Sequence, residues 1–66
     1  MCDFTIIVPV YNEEDNLIRV EKELLAYINM AIKKTAILFV NDGSTDNSLV
    51  MIKSICSKNE AFGYIS

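Results

Sequence analysis

The sequence predicts an α/β fold in which parallel strands alternate with helices in the order β-α-β-α-β. Two short apolar runs, residues 4–8 and 36–40, have the character of buried strands. Each run is followed by a segment whose apolar residues recur every three or four positions, as in a helix with one buried face. A third strand-like run begins at Phe62. Strands that alternate with helices in this way pair in parallel through right-handed crossovers.

The first strand, residues 4–8, is expected to be buried on both faces and to be stopped by Pro9. A helix is then predicted from about Asn12, which would cap it, to the lysine pair at residues 33–34. The three acids at residues 13–15 would lie in its first turn, where their negative charges interact favourably with the helix dipole. The buried face of this helix would carry Leu17, Val20, Leu24, Ile28 and Ala31.

The second strand, residues 36–40, is followed by a turn over residues 41–45 in which Gly43 is free to adopt a positive φ. Ser44 or Thr45 would cap the second helix, and Asp46 would lie in its first turn. This helix is predicted to end near Ser57, with a loop over residues 57–60 and a third strand over residues 62–65. Its buried residues would be Leu49, Ile52 and Ile55.

Three strands laid down side by side with right-handed crossovers place both helices on the same face of the sheet. The other face would then stay bare, whereas parallel sheets are normally covered on both faces. We therefore expect residues 1–66 to be the N-terminal part of a single larger domain, or to be covered by a partner, which includes a possible homo-oligomer.

Composition excludes several classes of function. The net charge is −3 and no basic stripe is present, which argues against nucleic acid as a partner. No apolar run approaches the ~20 residues of a membrane span, and the N-terminus lacks the positive charge of a signal peptide. We expect a cytoplasmic chain, with membrane association only through regions outside it. The chain has two cysteines and no histidine, which argues against a zinc site. Reduced thiols are expected, and a Cys2–Cys56 disulfide is the alternative.

Two polar loops follow the carboxyl ends of the first two strands, where open α/β sheets bind ligands. They cover residues 9–14 and 41–44 and would meet at one edge if the strands are neighbours. Together they offer an aromatic ring, which can stack on a base, and carboxylates, which accept hydrogen bonds from a base N–H or from ribose hydroxyls. With two glycines the chain has no glycine-rich phosphate motif, and residues 42–53 do not match an EF-hand.

The segments "IIVPVYNEEDNL" and "ILFVNDGSTDNSL", each following a strand, resemble the start of family 2 glycosyltransferases of the GT-A fold. The resemblance covers residues 4–66. It is greatest to polyprenyl-phosphate glycosyltransferases such as dolichol-phosphate mannose synthases and bactoprenol glucosyltransferases. It implies an enzyme that transfers a sugar from a UDP- or GDP-linked donor to a polyprenyl phosphate or a polysaccharide. The full-length protein would then act in the cytoplasm, at the cytoplasmic face of the membrane for a lipid acceptor.

The resemblance also implies roles for individual residues. Pro9, Val10 and Tyr11 would form the wall of a nucleotide site, with Tyr11 against the base, and Glu13 would lie near the ribose or base. Asp42 would accept a hydrogen bond from the base N–H. Two simpler interpretations compete with these roles: Asp42 could close an Asx-type turn, and Tyr11 could pack against the first helix.

Family 2 enzymes hold the donor diphosphate with Mg²⁺ or Mn²⁺ on an Asp-x-Asp motif, and inverting members use a carboxylate base. Neither group is present, so no catalytic or metal-binding residue is assigned and the chain alone is expected to be inactive. The alternative is a truncated, non-catalytic module that binds a nucleotide or is inert. A flavodoxin-like regulator would need acids at the end of the first strand, where this chain has Val8, Pro9, Val10 and Tyr11.

Overall fold

The computed structural model describes residues 3–66, which form three strands and two helices in the predicted order. The elements are β1 (Phe4–Val10), α1 (Leu17–Met30), β2 (Thr35–Asn41), α2 (Ser48–Lys58) and β3 (Phe62–Ile65). The strands form one parallel sheet in the order β1-β2-β3, with β2 in the centre. The predicted α/β class, the β-α-β-α-β order and the parallel pairing, as in the GT-A, Rossmann-like fold, are confirmed.

One face of the sheet packs against both helices and forms the core. Along β2 the buried residues alternate with half-buried ones, as expected for a strand whose two faces differ. Phe39 is fully buried and its ring lies 5.9 Å from that of Phe62 in β3, centroid to centroid. The core consists of Val10, Leu17, Ile37, Phe39, Ile52, Ile55 and Phe62. It therefore joins all five elements.

The opposite face of the sheet stays open, as the topology argument predicts. Ile7 of β1 is 63% exposed and Ile65 of β3 is 55% exposed. Leu38 and Val40 of the central strand are half-buried. The expectation that β1 is buried on both faces is wrong for this chain, because the two helices cover one face and β1 is an edge strand.

β1 continues through Pro9 to Val10, two residues past its predicted end. The Val10 carbonyl accepts the Asp42 N–H at 2.9 Å, so the backbone polar groups of Val10 point toward β2. Adjacent residues of a strand direct their backbone polar groups to opposite sides, so those of Pro9 point toward the open edge of the sheet. The N–H that proline lacks would have no partner strand there, and an edge strand tolerates proline for this reason.

α1 is shorter at both ends than predicted. It begins at Leu17 after Asn16, with no acid in its first turn, and ends at Met30, with no basic residue in its last. Asn12 does not cap it, because its side chain is hydrogen-bonded to Thr45 instead. The acids at residues 13–15 precede the helix, so helix-dipole stabilisation within the first turn does not explain them. The predicted buried face is confirmed at Leu17, Val20, Leu24 and Ile28, whereas Ala31 follows the helix end.

α2 begins at Ser48, and Asn47 precedes it without a side-chain capping bond. The predicted caps Ser44 and Thr45 lie too far from this start. Asp46 precedes the helix rather than lying in its first turn, and its Oδ1 accepts the Ser48 N–H at 2.9 Å. The positive φ of Gly43 is confirmed at 73°, and β3 matches its predicted range.

No helix within residues 3–66 is long and apolar enough to cross a membrane. Cys56 is half-buried, and this burial raises the pKa of its thiol. Cys2 lies outside the described residues, and the possible Cys2–Cys56 pairing with it.

Candidate functional site

The sheet register brings the two polar loops together at the carboxyl edge of the strands. Val10 is the register partner of Asn41, so Tyr11 and Asp42 leave neighbouring strands at the same level. The Asp42 N–H donates to the Val10 carbonyl at 2.9 Å, which extends the pairing one residue into the loop. The predicted meeting of the loops at one edge is confirmed.

The Asp42 side chain is exposed, and its carboxylate makes no hydrogen bond or ion pair with another residue of the described range. The turn is closed by its neighbour: the Asn41 Oδ1 accepts the Ser44 N–H at 3.4 Å. Asn41 is 7% exposed, and its amide also donates to the Ser66 hydroxyl at 3.4 Å. The Asx-type role is therefore filled by Asn41, and the Asp42 carboxylate stays free to accept hydrogen bonds from a ligand.

Tyr11 is 59% exposed and is not among the residues that pack on the core, which argues against the interpretation that it packs on α1. Its neighbour Val10 is 2% exposed and belongs to the core. The Val10 side chain is thus not available to a ligand, and what Val10 contributes at this edge is the carbonyl that fixes Asp42. Pro9 is exposed on the open side of β1.

Glu13 is half-buried and already engaged in the loop. Its Oε2 accepts the Asn16 side-chain amide at 2.9 Å. Its carbonyl accepts the N–H groups of Asn16 and Leu17 at 2.9 and 3.0 Å. Its own N–H donates to the Ser48 hydroxyl at 2.8 Å. Glu13 therefore shapes the entry to α1, and a direct contact with a ligand would use the remaining lone pairs of its carboxylate.

Side chains connect the two loops directly. The Asn12 N–H donates to the Ser44 hydroxyl at 3.0 Å. In return, the Asn12 Oδ1 accepts the Thr45 N–H at 2.8 Å and is 3.4 Å from the Thr45 hydroxyl. Asn12 has a positive φ of 50°, and within residues 3–66 no other residue except glycine has a positive φ. The left-handed region is accessible to asparagine more readily than to most residues.

A second connection runs from the first loop to the start of α2. The Ser48 side chain is fully buried and its hydroxyl accepts the Glu13 N–H, while the Ser48 N–H donates to the Asp46 Oδ1. The Asp46 Oδ2 accepts the Glu14 N–H at 3.3 Å. The bond from the Ser48 hydroxyl, aided by the N–H groups of Ser48 and Glu14, holds the pKa of Asp46 below its ordinary value. The ionised Asp46 therefore accepts hydrogen bonds both from the first loop and from the start of α2.

The comparison with known proteins identifies the family. The model of glycosyl transferase family 2 matches residues 5–66, nearly the whole chain.

The chain belongs to glycosyl transferase family 2.

A curated relative gives a more specific comparison. This family 2 chain is 32% identical over 54 residues to an "undecaprenyl-phosphate 4-deoxy-4-formamido-L-arabinose transferase" of Edwardsiella ictaluri. The match covers 82% of the chain but 17% of the relative's length. The name of this relative agrees with the polyprenyl-phosphate branch of the family that the sequence resembles.

The sequence did not indicate how this family 2 chain joins its two loops. The sequence predicts Asn12 as a helix cap and Ser44 and Asp46 as cap or first-turn residues, and it indicates no role for Ser48. The signal that was present is the density of side chains that favour local hydrogen bonding to the backbone, at residues 12 and 44–48. Such side chains can hydrogen-bond to the backbone of their own loop or to that of a neighbouring loop, and the strand register decides between these two kinds of partner.

Two cavities of this family 2 chain lie away from the site residues. A groove of about 390 Å³ lies at the amino ends of β1 and β2, lined by Phe4, Tyr27, Met30, Ala31, Ile32, Lys33 and Thr35. A smaller one of about 220 Å³ lies between the helices, beside the Lys58–Glu21 ion pair. Within residues 3–66, no group of three or more His, Cys, Asp or Glu side chains could hold a metal ion.

Proposed function

We propose that this chain forms the nucleotide-binding half of a glycosyltransferase that transfers a sugar from a nucleotide-sugar donor to a polyprenyl phosphate or a polysaccharide. The family assignment supports sugar transfer. The relative named as an undecaprenyl-phosphate transferase supports a lipid-linked acceptor, which would place the reaction at the cytoplasmic face of a membrane. The chain spans 17% of that relative's length, so the complete activity is part of the proposal.

The observation that carries the nucleotide-binding role is the free carboxylate of Asp42, at the same level of the sheet edge as the exposed Tyr11. The Asp42 backbone is fixed by the Val10 carbonyl, while its side chain makes no bond within residues 3–66. A carboxylate without a partner at the exit of a strand is an acceptor for a ring N–H of uracil or guanine. A hydrogen bond with an ionised partner contributes about 1.5–3 kcal/mol.

Tyr11 supplies the apolar surface for the base. Tyr11 is 59% exposed and directly follows β1, the neighbour of the strand that precedes Asp42. Stacking of a base on an aromatic side chain contributes about 1–3 kcal/mol. One face of the base would contact Tyr11 while its N–H edge meets Asp42, with Pro9 and Glu13 at the margins of the site. This arrangement favours bases that carry a ring N–H over adenine, whose ring nitrogens are acceptors.

The donor diphosphate and the acceptor would be handled by other parts of the full enzyme. No group of side chains within the described range fits a Mg²⁺ or Mn²⁺ ion. The metal that neutralises a leaving diphosphate would therefore be held by residues other than those described. This chain contributes recognition of the base, and transfer of the sugar requires the rest of the protein.

Calorimetric titration of the chain with UDP, GDP and ADP, each with and without Mn²⁺, tests this proposal. We expect UDP or GDP to bind more tightly than ADP, with little dependence on Mn²⁺. Asp42→Asn should weaken that binding by about tenfold or more, because it removes the charge of the acceptor. The same substitution should leave thermal stability unchanged, since the carboxylate has no partner within the described residues.

Asp15→Asn is the matched control. Asp15 is an exposed acid between the first loop and α1 without a side-chain bond in residues 3–66, so Asp15→Asn makes the same change in net charge outside the site. It should leave nucleotide affinity unchanged. Absence of binding to UDP and GDP, or equal losses from Asp42→Asn and Asp15→Asn, would contradict the proposal and favour an inert or non-catalytic module.

A further inference from the structure

Asn12 makes the most direct connection between the loop that carries Tyr11 and the loop that carries Asp42. Its side-chain oxygen accepts the Thr45 N–H at 2.8 Å, and its N–H donates to the Ser44 hydroxyl at 3.0 Å. It follows Tyr11 directly in the chain, and Ser44 and Thr45 lie two and three residues after Asp42. A displacement of Asn12 therefore moves the ring relative to the carboxylate.

The other side-chain connections reach the start of α2 and the residues just before it, rather than the turn around Gly43. Glu13 is held by the buried Ser48, the first residue of α2, and Glu14 by Asp46, two residues earlier. They fix the entry to α1, but neither reaches the turn around Gly43. Asn12 thus holds the part of the first loop nearest to the proposed base site. It does so in a left-handed conformation, with φ of 50°, that most residues avoid.

We propose that Asn12 is a positioning residue that sets the separation of the Tyr11 ring from the Asp42 carboxylate before a nucleotide binds. This inference rests on the proposed function, since it concerns the same site. The physical reason is preorganisation. Two exposed loops that already hold their bound geometry lose less conformational freedom on binding, so more of the contact energy appears as affinity. Asn12 itself need not touch the nucleotide.

Asn12 contributes a side-chain acceptor for the Thr45 N–H and a backbone with positive φ, and three substitutions separate these two contributions. Asn12→Gly keeps the positive φ but removes the side-chain oxygen. Asn12→Asp keeps an acceptor oxygen for Thr45 and tolerates the left-handed conformation. Asn12→Ala loses both. Asn47→Ala is the matched control, because Asn47 is an exposed asparagine before α2 that makes no side-chain capping bond.

The test is the affinity of each variant for whichever of UDP and GDP binds the starting chain more tightly, together with its Tm. A single net hydrogen bond changes an equilibrium constant by about twofold to tenfold. We expect Asn12→Ala and Asn12→Gly to lose about tenfold in affinity, Asn12→Asp to lose less than about threefold, and Asn47→Ala to match the starting chain. In the absence of nucleotide, the Thr45 amide should exchange faster in Asn12→Ala and Asn12→Gly than in Asn12→Asp, because its acceptor is gone.

Wild-type affinity in Asn12→Gly would overturn the inference, because only the backbone conformation would then matter. A loss of affinity that accompanies a fall in Tm and is not restored in Asn12→Asp would also overturn it, by showing a purely structural role. Both outcomes leave nucleotide binding by the starting chain intact. Failure of the starting chain to bind either nucleotide is a different result, which removes the proposed function and this inference together.

Discussion

Replacing Ser48 with alanine tests whether the buried start of α2 holds the two loops together. The Ser48 side chain is fully buried, and its hydroxyl accepts the Glu13 N–H at 2.8 Å. The same hydroxyl lowers the pKa of the Asp46 carboxyl. Alanine removes both interactions and leaves the Glu13 N–H without its acceptor, while the rest of the helix is unchanged.

The expected cost follows from the burial of each group. A net hydrogen bond contributes about 1 kcal/mol, and a buried donor left unsatisfied costs about 1–3 kcal/mol. Glu13 is half-buried, so water can satisfy part of the lost bond. Asp46 keeps the Ser48 N–H at 2.9 Å and is exposed enough for water to replace the hydroxyl. We therefore expect Ser48→Ala to lower the free energy of unfolding by about 2 kcal/mol.

Urea unfolding followed by circular dichroism measures this change, with Ser57→Ala as the control. Ser57 lies in the same helix and is exposed, and its hydroxyl donates to the Ser54 carbonyl at 2.8 Å. Both variants make the same residue change in α2, so a difference in helix propensity contributes to both. Ser57→Ala should stay within about 0.5 kcal/mol of the starting chain. If the two variants unfold with equal free energies, the Ser48 hydroxyl does not hold the loops.

Gly43→Ala should lower the free energy of unfolding by about 1 kcal/mol through backbone strain, since φ is 73° and nothing lies within 4 Å of the added Cβ. Gly63→Ala should be neutral or stabilising in the same urea assay, because its Cβ would only contact Leu38 at 3.9 Å; the reverse order would refute the argument. The Ser48 hydroxyl holds the pKa of Asp46 below the ordinary 3.8. The resulting stabilisation is present above pH 3.8 and is lost as the pH falls through the folded-state pKa. Asp46→Asn should therefore flatten the acid limb of stability against pH, and an unchanged acid limb would contradict this.

The core could be predicted from the sequence because its signal is local. Leu17, Val20, Leu24 and Ile28 recur at helical spacing, and all four lie in or against the core. Ile37 and Phe39 alternate with half-buried residues along a strand that the sequence also predicted. Burial of an apolar residue depends on its own chemistry and on its period within one element, and neither requires knowledge of distant residues.

The element ends could not be predicted as well, because polar residues have several possible partners. Asn12 has the side chain of a helix cap, yet α1 begins five residues later, at Leu17. Pro9 has the character of a strand terminator, yet it lies inside β1. In both cases a long-range feature decided the outcome: a bond to Thr45 for Asn12, and the edge position of β1 for Pro9.

The sequence by itself determined the order of the elements, the parallel sheet with one open face, and the edge at which the loops carrying Tyr11 and Asp42 meet. Tertiary structure alone decided that Asn41 closes the turn, that Val10 turns into the core, and that the Asp42 carboxylate is left free. The bonds between the loops join residues 32 to 35 positions apart. Patterns within one element cannot specify such pairs, because their partners are chosen by the register of β1 on β2.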